Sequence, residues 1–264
     1  SYSYEWQKSS DNSNWISIPA SSNATYSSGS LTSDTYYRSA VADGCGIANS
    51  NSILINVNDP LVAGILSASD LQLCYNSSTA LMISGTSGGD SNYTRTWEVS
   101  ADGINFSIIS GSTGTSISTG NLTTDKYYRV SINSGCGVSD VSNIIQVAVA
   151  NEFTISSISY AGSQLICYND NPSSMSIVAT GGTTPYTYSW QMKASSSSSW
   201  SSIANSNNGV FTESSGLLVE TDYRVLITSS DGCGILTSNT ETIDVRAELS
   251  APSITPGQTI CYDT

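Results

Sequence analysis

The chain has 264 residues, a length that fits two or three domains of roughly 100 residues each. Charged residues make up 11% of it, the net charge is −13, and no two of the basic residues (Lys8, Arg38, Arg95, Lys126, Arg129, Lys193, Arg224, Arg246) are adjacent. Nucleic acid is excluded because its phosphates need clustered Lys and Arg, and an anionic membrane surface would repel the chain. There is no histidine, which removes Ser-His-Asp and Cys-His catalysis, imidazole metal ligands and the usual general base near neutral pH.

No apolar run approaches the roughly 20 residues of a membrane-spanning helix, so direct membrane insertion is not expected. No basic-then-apolar leader opens the chain. Its first residues, SYSYEWQ, already read as a patterned strand, so a piece of something longer is expected.

Taken in order, the chain writes one unit repeatedly. Residues 1–57 open with YEWQKS, which places Tyr4 and Trp6 on one face because strand side chains alternate. A polar turn leads to Trp15, then LTSDTYYR, a GCG hairpin tip at Cys45 and a closing strand to Val57. This unit lacks opening strands. Residues 58–149 form a complete unit: Cys74–Tyr75, the alternating run TALMISG, YTRTWEVS carrying Trp97, and the turn SADG leading into Phe106 as a hairpin. LTTDKYYRVSI follows, with Tyr128, Val130 and Ile132 inward and Tyr127 and Arg129 outward. GCG at Cys136 and SNIIQVAV, with Ile145, Val147 and Val149 inward, close it.

Residues 150–245 repeat the plan with Cys167–Tyr168, SMSIVATGG, YTYSWQMK carrying Trp190, then Trp200, ETDYRVLI and GCG at Cys233. Residues 246–264 read as the opening strand of a further unit, ending ICYDT. Trp6, Trp97 and Trp190 are 91 and 93 apart, and Cys45, Cys136 and Cys233 are 91 and 97 apart. A period near 93 is too long for ankyrin, leucine-rich or propeller-blade repeats and suits an all-β sandwich. The expected fold is therefore a tandem of immunoglobulin-like β-sandwiches, with Trp6, Trp97, Trp190, Tyr37, Tyr128 and Tyr223 in the cores. The tyrosine of the penultimate strand is placed to act as a tyrosine corner.

Six cysteines in a Ser/Thr-rich chain without histidine point to an oxidising, extracellular setting. With no CxxC pair, metal binding is not expected of them. Cys45, Cys74, Cys136, Cys167, Cys233 and Cys261 are all disulfide candidates, expected as staples at module ends. Three patterns are open. One bonds Cys74 to Cys136 and Cys167 to Cys233 within units. A second bonds Cys45 to Cys74, Cys136 to Cys167 and Cys233 to Cys261 across junctions. The third joins one sandwich to the next, as Cys74 to Cys233.

No constellation points to catalysis, and no catalytic or cofactor-binding residue is assigned. Arg38, Arg129 and Arg224 sit outward at equivalent positions, where cross-strand pairing with Glu98 or Gln191 competes with a ligand role. Trp15, Phe106 and Trp200 are candidates for half-exposed, sugar-stacking rings. Asp11, Asp43, Asp90, Asp102 and Asp231 lie in turns and could offer calcium oxygen ligands, although no EF-hand or nonapeptide motif is present. Sequons at Asn23, Asn76, Asn92, Asn105 and Asn121 carry weight only in a eukaryotic secretory pathway.

The series Y-x-Y-x-W-Q, S-x-D-G-x-x-W, L-T-x-T-x-Y-Y-R, G-C-G and S-N-x-I-x-I-x-V resembles the tandem Ig-like repeats of giant surface adhesins of gliding bacteria, proteins exported by the type IX system. The resemblance covers essentially the whole chain. Phe106 in place of the second Trp, and Asp222 in place of the first Tyr, depart from it. It implies a non-enzymatic filament at the outer surface of a bacterium, moved by motility and secretion machinery. Such a filament contacts external surfaces or polysaccharides through the full-length protein. The alternative is carbohydrate-binding or spacer modules of a secreted polysaccharide-degrading enzyme.

Overall fold

The computed structural model describes residues 2–204, 206–230, 232–254 and 257. Its regular elements are all β-strands, and no described helix is long and apolar enough to cross a membrane. The chain divides into two compact units, one of Ser1–Ser67, Met82–Ile117 and Tyr128–Ile145, the other of Ala68–Leu81, Ser118–Tyr127 and Gln146–Thr264.

The second unit holds the third repeat, where strand alternation decides what is buried. Along Thr221–Thr228, Tyr223, Val225 and Ile227 are fully buried. The antiparallel neighbour Thr187–Ala194 sets Trp190 opposite Val225 and Gln191 opposite Arg224. Trp190 therefore points inward while the Gln–Arg pair faces out. Ser201–Ser202, Ile235–Thr237, Glu241–Val245 and Leu165–Ile166 complete this sheet. A smaller sheet of Ser159–Tyr160, Met175–Ser176 and Val210–Phe211 supplies Met175 and Phe211 to the same core. The Phe211 ring stacks 5.4 Å from Trp190 and lies 5.9 Å from Tyr223.

The opening strand of the middle and third repeats is divided. In the third, Ser159–Tyr160 pairs antiparallel with Met175–Ser176, then Leu165–Ile166 runs parallel to the closing strand Glu241–Val245. In the middle repeat Gln72–Leu73 runs parallel to Ile145–Val149 in the same way. The chain thus starts on one sheet and ends on the other. SMSIVATGG, read as one strand, is two short ones, Met175–Ser176 and Ala179–Thr180, and the latter pairs with Thr154–Ile155.

Ser-Asn pairs lock these strands. Ser142 and Ser238 Oγ accept the Val130 and Val225 N–H, and the side-chain oxygens of Asn143 and Asn239 accept the N–H of Leu66 and Ile158.

In the first unit, Ser3–Ser9 lies between Ile16–Ser17 and Thr35–Asp43, and Gly46–Asn49 and Ile53–Ile55 both pair with the latter. The middle repeat's Tyr93–Ser100 likewise carries the hairpin partner Ser107–Ile108. Trp97 and Trp190 are both 0% exposed. Trp6 is not core: it is half-buried, because the strands of residues 2–57 form a single sheet, and Tyr26 stacks on it at 5.8 Å. Tyr37, Tyr128 and Tyr223 are buried.

The expected tyrosine corner is also elsewhere. Tyr223 OH points at the Glu213 carboxylate. The backbone bond is made by the tyrosine four residues before Trp97 and Trp190, with Tyr93 donating to Gly88 O (2.8 Å) and Tyr186 to Gly181 O (2.6 Å).

Those glycines are required by geometry. At Gly181 (φ +73°) a Cβ would lie 1.8 Å from the Glu152 carbonyl oxygen, whereas at Gly232 (φ +74°) it would meet nothing within 4 Å. Gly181→Ala should therefore destabilise the chain in urea unfolding by about 2 kcal/mol or more, and Gly232→Ala by only about 1 kcal/mol for its left-handed φ. Equal losses would show that the close approach to Glu152 is unimportant.

Candidate functional site

The feature with a functional consequence is covalent. Gln72–Leu73 ends in a turn at Cys74–Tyr75, and the segment between Thr221–Thr228 and Ile235–Thr237 carries Cys233. A disulfide joins Cys74 to Cys233 across 159 residues of sequence. The turn is fixed by its backbone: Ser77 N–H donates to Cys74 O, Asn76 N–H donates to Leu122 O, and Asn76 takes φ +59°. Tyr75, Asn151, Glu152, Phe153 and Leu236 line, with the disulfide, a cavity of about 150 Å³, and a second of about 330 Å³ is also lined by both cysteines. In the entropic account a ring of this length constrains the unfolded chain by about 5 kcal/mol, the top of the observed range.

This is the third of the three pairing patterns. Each sulfur forms one such bond, so engaging Cys74 with Cys233 leaves the other two patterns without their partners. Cys45, Cys136 and Cys167, expected as staples, are exposed free thiols in this chain. Cys261 lies outside the described residues.

The outward arginines form a repeated clamp. Arg38 and Arg224 Nε donate to Gln7 and Gln191, and Arg129 Nε to Glu98. Each guanidinium also covers a ring: Trp15 at 4.2 Å, Phe106 at 4.1 Å and Trp200 at 4.3 Å. Any planar ring receives the cation, so Phe106 substitutes for tryptophan. One face of every candidate sugar platform is thereby occupied by protein.

The turn acids are engaged as well. Asp102 accepts the N–H of Ile104 and Asn105, the Asn105 amide and the Ser100 hydroxyl. Asp11 does the same with Ser13, Asn14 and Ser9. These donors hold both carboxyls well below the ordinary range. Asp43 accepts from Cys45 and Gly46, and Asp90 from Asn92 and Gly135. Asp231 lies outside the described residues. Among the described residues no three Cys, Asp or Glu side chains gather as a metal site. The amides of Asn92 and Asn105, two of the sequon asparagines, are used in these turns.

The third repeat replaces that turn with an ion pair that sequence reading missed. Lys193 stands where the other repeats have Ser9 and Ser100, and Asp222 where they have Tyr36 and Tyr127. Lys193 and Asp222 are cross-strand partners, with Nζ 2.8 Å from the carboxylate. Ser195 and Thr242 hydroxyls also donate to Asp222. Burial pushes the Asp222 carboxyl up, but bonds from Lys193, Ser195 and Thr242 with the Lys193 charge outweigh it, and the group sits below its ordinary value. The signal was available as two simultaneous departures at facing positions.

The model of a domain of unknown function, DUF8696, matches residues 2–59, 62–151 and 156–247. The chain belongs to the DUF8696 family. Its three matched copies take in the Trp97 and Trp190 cores, the arginine clamps and both halves of the disulfide. No curated protein matches the sequence. Among solved structures, these DUF8696 repeats are similar to three N-terminal domains of the outer capsid protein Hoc of bacteriophage RB49 (12% identity, 94% of this chain and 89% of that one, TM-score 0.44). They are similar also to titin domains A168–A170 (13%, 92% and 88%, TM-score 0.40) and to the fibronectin(III)-like modules of Clostridium thermocellum CbhA (7%, 73% and 100%, TM-score 0.30).

Because the folded carboxyl of Asp222 is depressed, its contribution is present above the ordinary carboxylate value of 3.8 and is lost as pH falls through the folded value. Asp222→Asn should cost the DUF8696 chain about 2 kcal/mol at pH 7, measured by urea unfolding, and the gap to wild type should shrink as pH falls below 3.8. A gap that does not change with pH would mean that Asp222 acts by shape alone.

Proposed function

We propose that this chain is a non-enzymatic, force-transmitting run of Ig-like repeats in a long bacterial surface adhesin of the gliding-motility type, resembling SprB. It works outside the cell, held to the outer membrane through the rest of its protein. The full-length protein meets external surfaces or polysaccharides at one end, and the motility and secretion machinery handles the other. The observation that carries this reading is the Cys74–Cys233 bond between successive repeats. A bond of this kind belongs in an oxidising compartment, and it limits how far a pulled chain can open.

The other supports are local. Small sandwiches fastened by covalent and backbone ties favour reach over chemistry. The carbohydrate-module alternative gains nothing from the site, since each of its candidate rings already stacks on an arginine. A calcium-dependent variant gains nothing either, since the candidate turn acids already accept internal donors.

Pulling a single molecule from its two ends tests the reading. With the disulfide intact, the 159 residues it spans stay out of the extension. Adding reductant should release about 540 Å more at roughly 3.4 Å per residue. Full-length extension without reductant, in protein recovered from the cell surface, would overturn it.

A further inference from the structure

Cys136 and Cys233 occupy the same place in successive repeats, at the tip following the tyrosine-bearing strand, yet one is bonded and the other free. The walls around them correspond. Asn151, Glu152 and Phe153 beside Cys233 answer to Asn58, Asp59 and Pro60 beside Cys136. Gly181, whose Cβ would strike Glu152 O, answers to Gly88, whose Cβ would strike Pro60 O at 1.9 Å. At Cys233 the walls line a cavity of about 150 Å³ together with Cys74 and Tyr75. At Cys136 they line an open cleft of about 480 Å³, extended by Val57, Leu61, Gly89 and Val138, to which no Cys-Tyr turn contributes among the described residues. The Cys136 thiol stands at its rim with Asn58 Nδ2 at 3.4 Å.

The matching insert also exists in an unbonded form. The Cys167–Tyr168 turn repeats the Cys74–Tyr75 turn: Asp170 N–H donates to Cys167 O, Asn169 N–H donates to Leu217 O, and Asn169 takes φ +68°. Cys167 is free, so the turn holds its shape without a disulfide.

We propose that the cleft at Cys136 is a receptor for the Cys-Tyr turn of a complete repeat immediately before it in the same chain. The tyrosine seats among Asn58, Asp59 and Pro60, and the cysteine bonds to Cys136. The Cys74–Cys233 bond is then one instance of a rule in which the Cys-Tyr turn of each repeat is fastened to the GCG tip of the next. Cys167 is the donor half of the same device. The cavity at Cys45 is of another kind, lined by Tyr2 and by residues of its own hairpin, Val41 to Ala48.

The step is an oxidation and needs a disulfide oxidant, here oxidised glutathione. The thiolate of the incoming cysteine attacks glutathione disulfide, forming a mixed disulfide and expelling one glutathione thiolate. The Cys136 thiolate then displaces the second. Two cysteine thiols become one disulfide, and their two protons and two electrons end on two glutathione thiols.

The test extends the full chain by its own period. Setting Trp6 on Trp97 aligns Ser1 with Asn92, so prefixing a copy of residues 58–91 completes the first repeat and supplies a Cys-Tyr turn. The extended protein is refolded in a glutathione redox buffer and mapped by non-reducing peptide mass spectrometry. The expected result is an intramolecular link from the added cysteine to Cys136, at a yield similar to that of Cys74–Cys233. Tyr75→Ala in the added copy should lower that yield about fivefold, the worth of one seated aromatic ring. Formation of Cys74–Cys233 in the same molecules certifies folding. If it forms while Cys136 carries glutathione, stays free, joins Cys167 of a second copy, or loses the added cysteine to Cys45, the proposal is overturned.

Discussion

A buried indole must still satisfy its N–H, and the architecture of each repeat follows from how that is done. Trp97 Nε1 donates to Gly114 O and Trp190 Nε1 to Asn208 O, both at 3.0 Å. Each bond ties the stretch after the short hairpin to the centre of the sandwich, and that stretch then delivers Phe211 onto the Trp190 ring in the third repeat. The strand that carries the tryptophan inward must carry its next residue outward. That residue is Gln7, Glu98 or Gln191, so the arginine clamp on the outer face is set by the same alternation that buries the ring. The first repeat shows the constraint without its usual enclosure. Trp6 still donates to Asn23 O, but with one sheet only it stays half-buried under Tyr26.

Strand identity and facing were legible because they depend on a period of two, which Tyr128, Val130 and Ile132 display without interruption. The divided opening strand was not legible. Its pieces are two to four residues long, and which sheet they join depends on Asn143 and Asn239 reaching across from more than 70 residues away. Tyr93 and Tyr186 escaped notice for a related reason. Their bonds to Gly88 and Gly181 depend on the glycine pair five residues earlier turning with positive φ, which reads in sequence only as a turn.

At the cysteines, sequence alone limited the pairings to three patterns. The geometry that selects one is the approach of the Cys74–Tyr75 turn to Cys233, beside a cavity lined also by Asn151, Glu152 and Phe153, which no spacing rule expresses. The exchange of the Ser100–Asp102 turn for the Lys193–Asp222 pair shows the opposite situation. Two substitutions at facing positions are each odd alone and explain one another once the strands are in register.

The disulfide also changes what a cut in the backbone means. Residues 74 and 233 bound a closed ring that includes most of the middle and third repeats. A protease that opens an exposed loop inside it, such as 109–114 or 195–199, produces a nick and no fragment. The two chain ends remain one molecule, and the strands on both sides of the cut stay at high effective concentration for re-pairing. The chain thus carries a second covalent route through this part of its length. Damage there would show first as a loss of stiffness, with the chain still continuous.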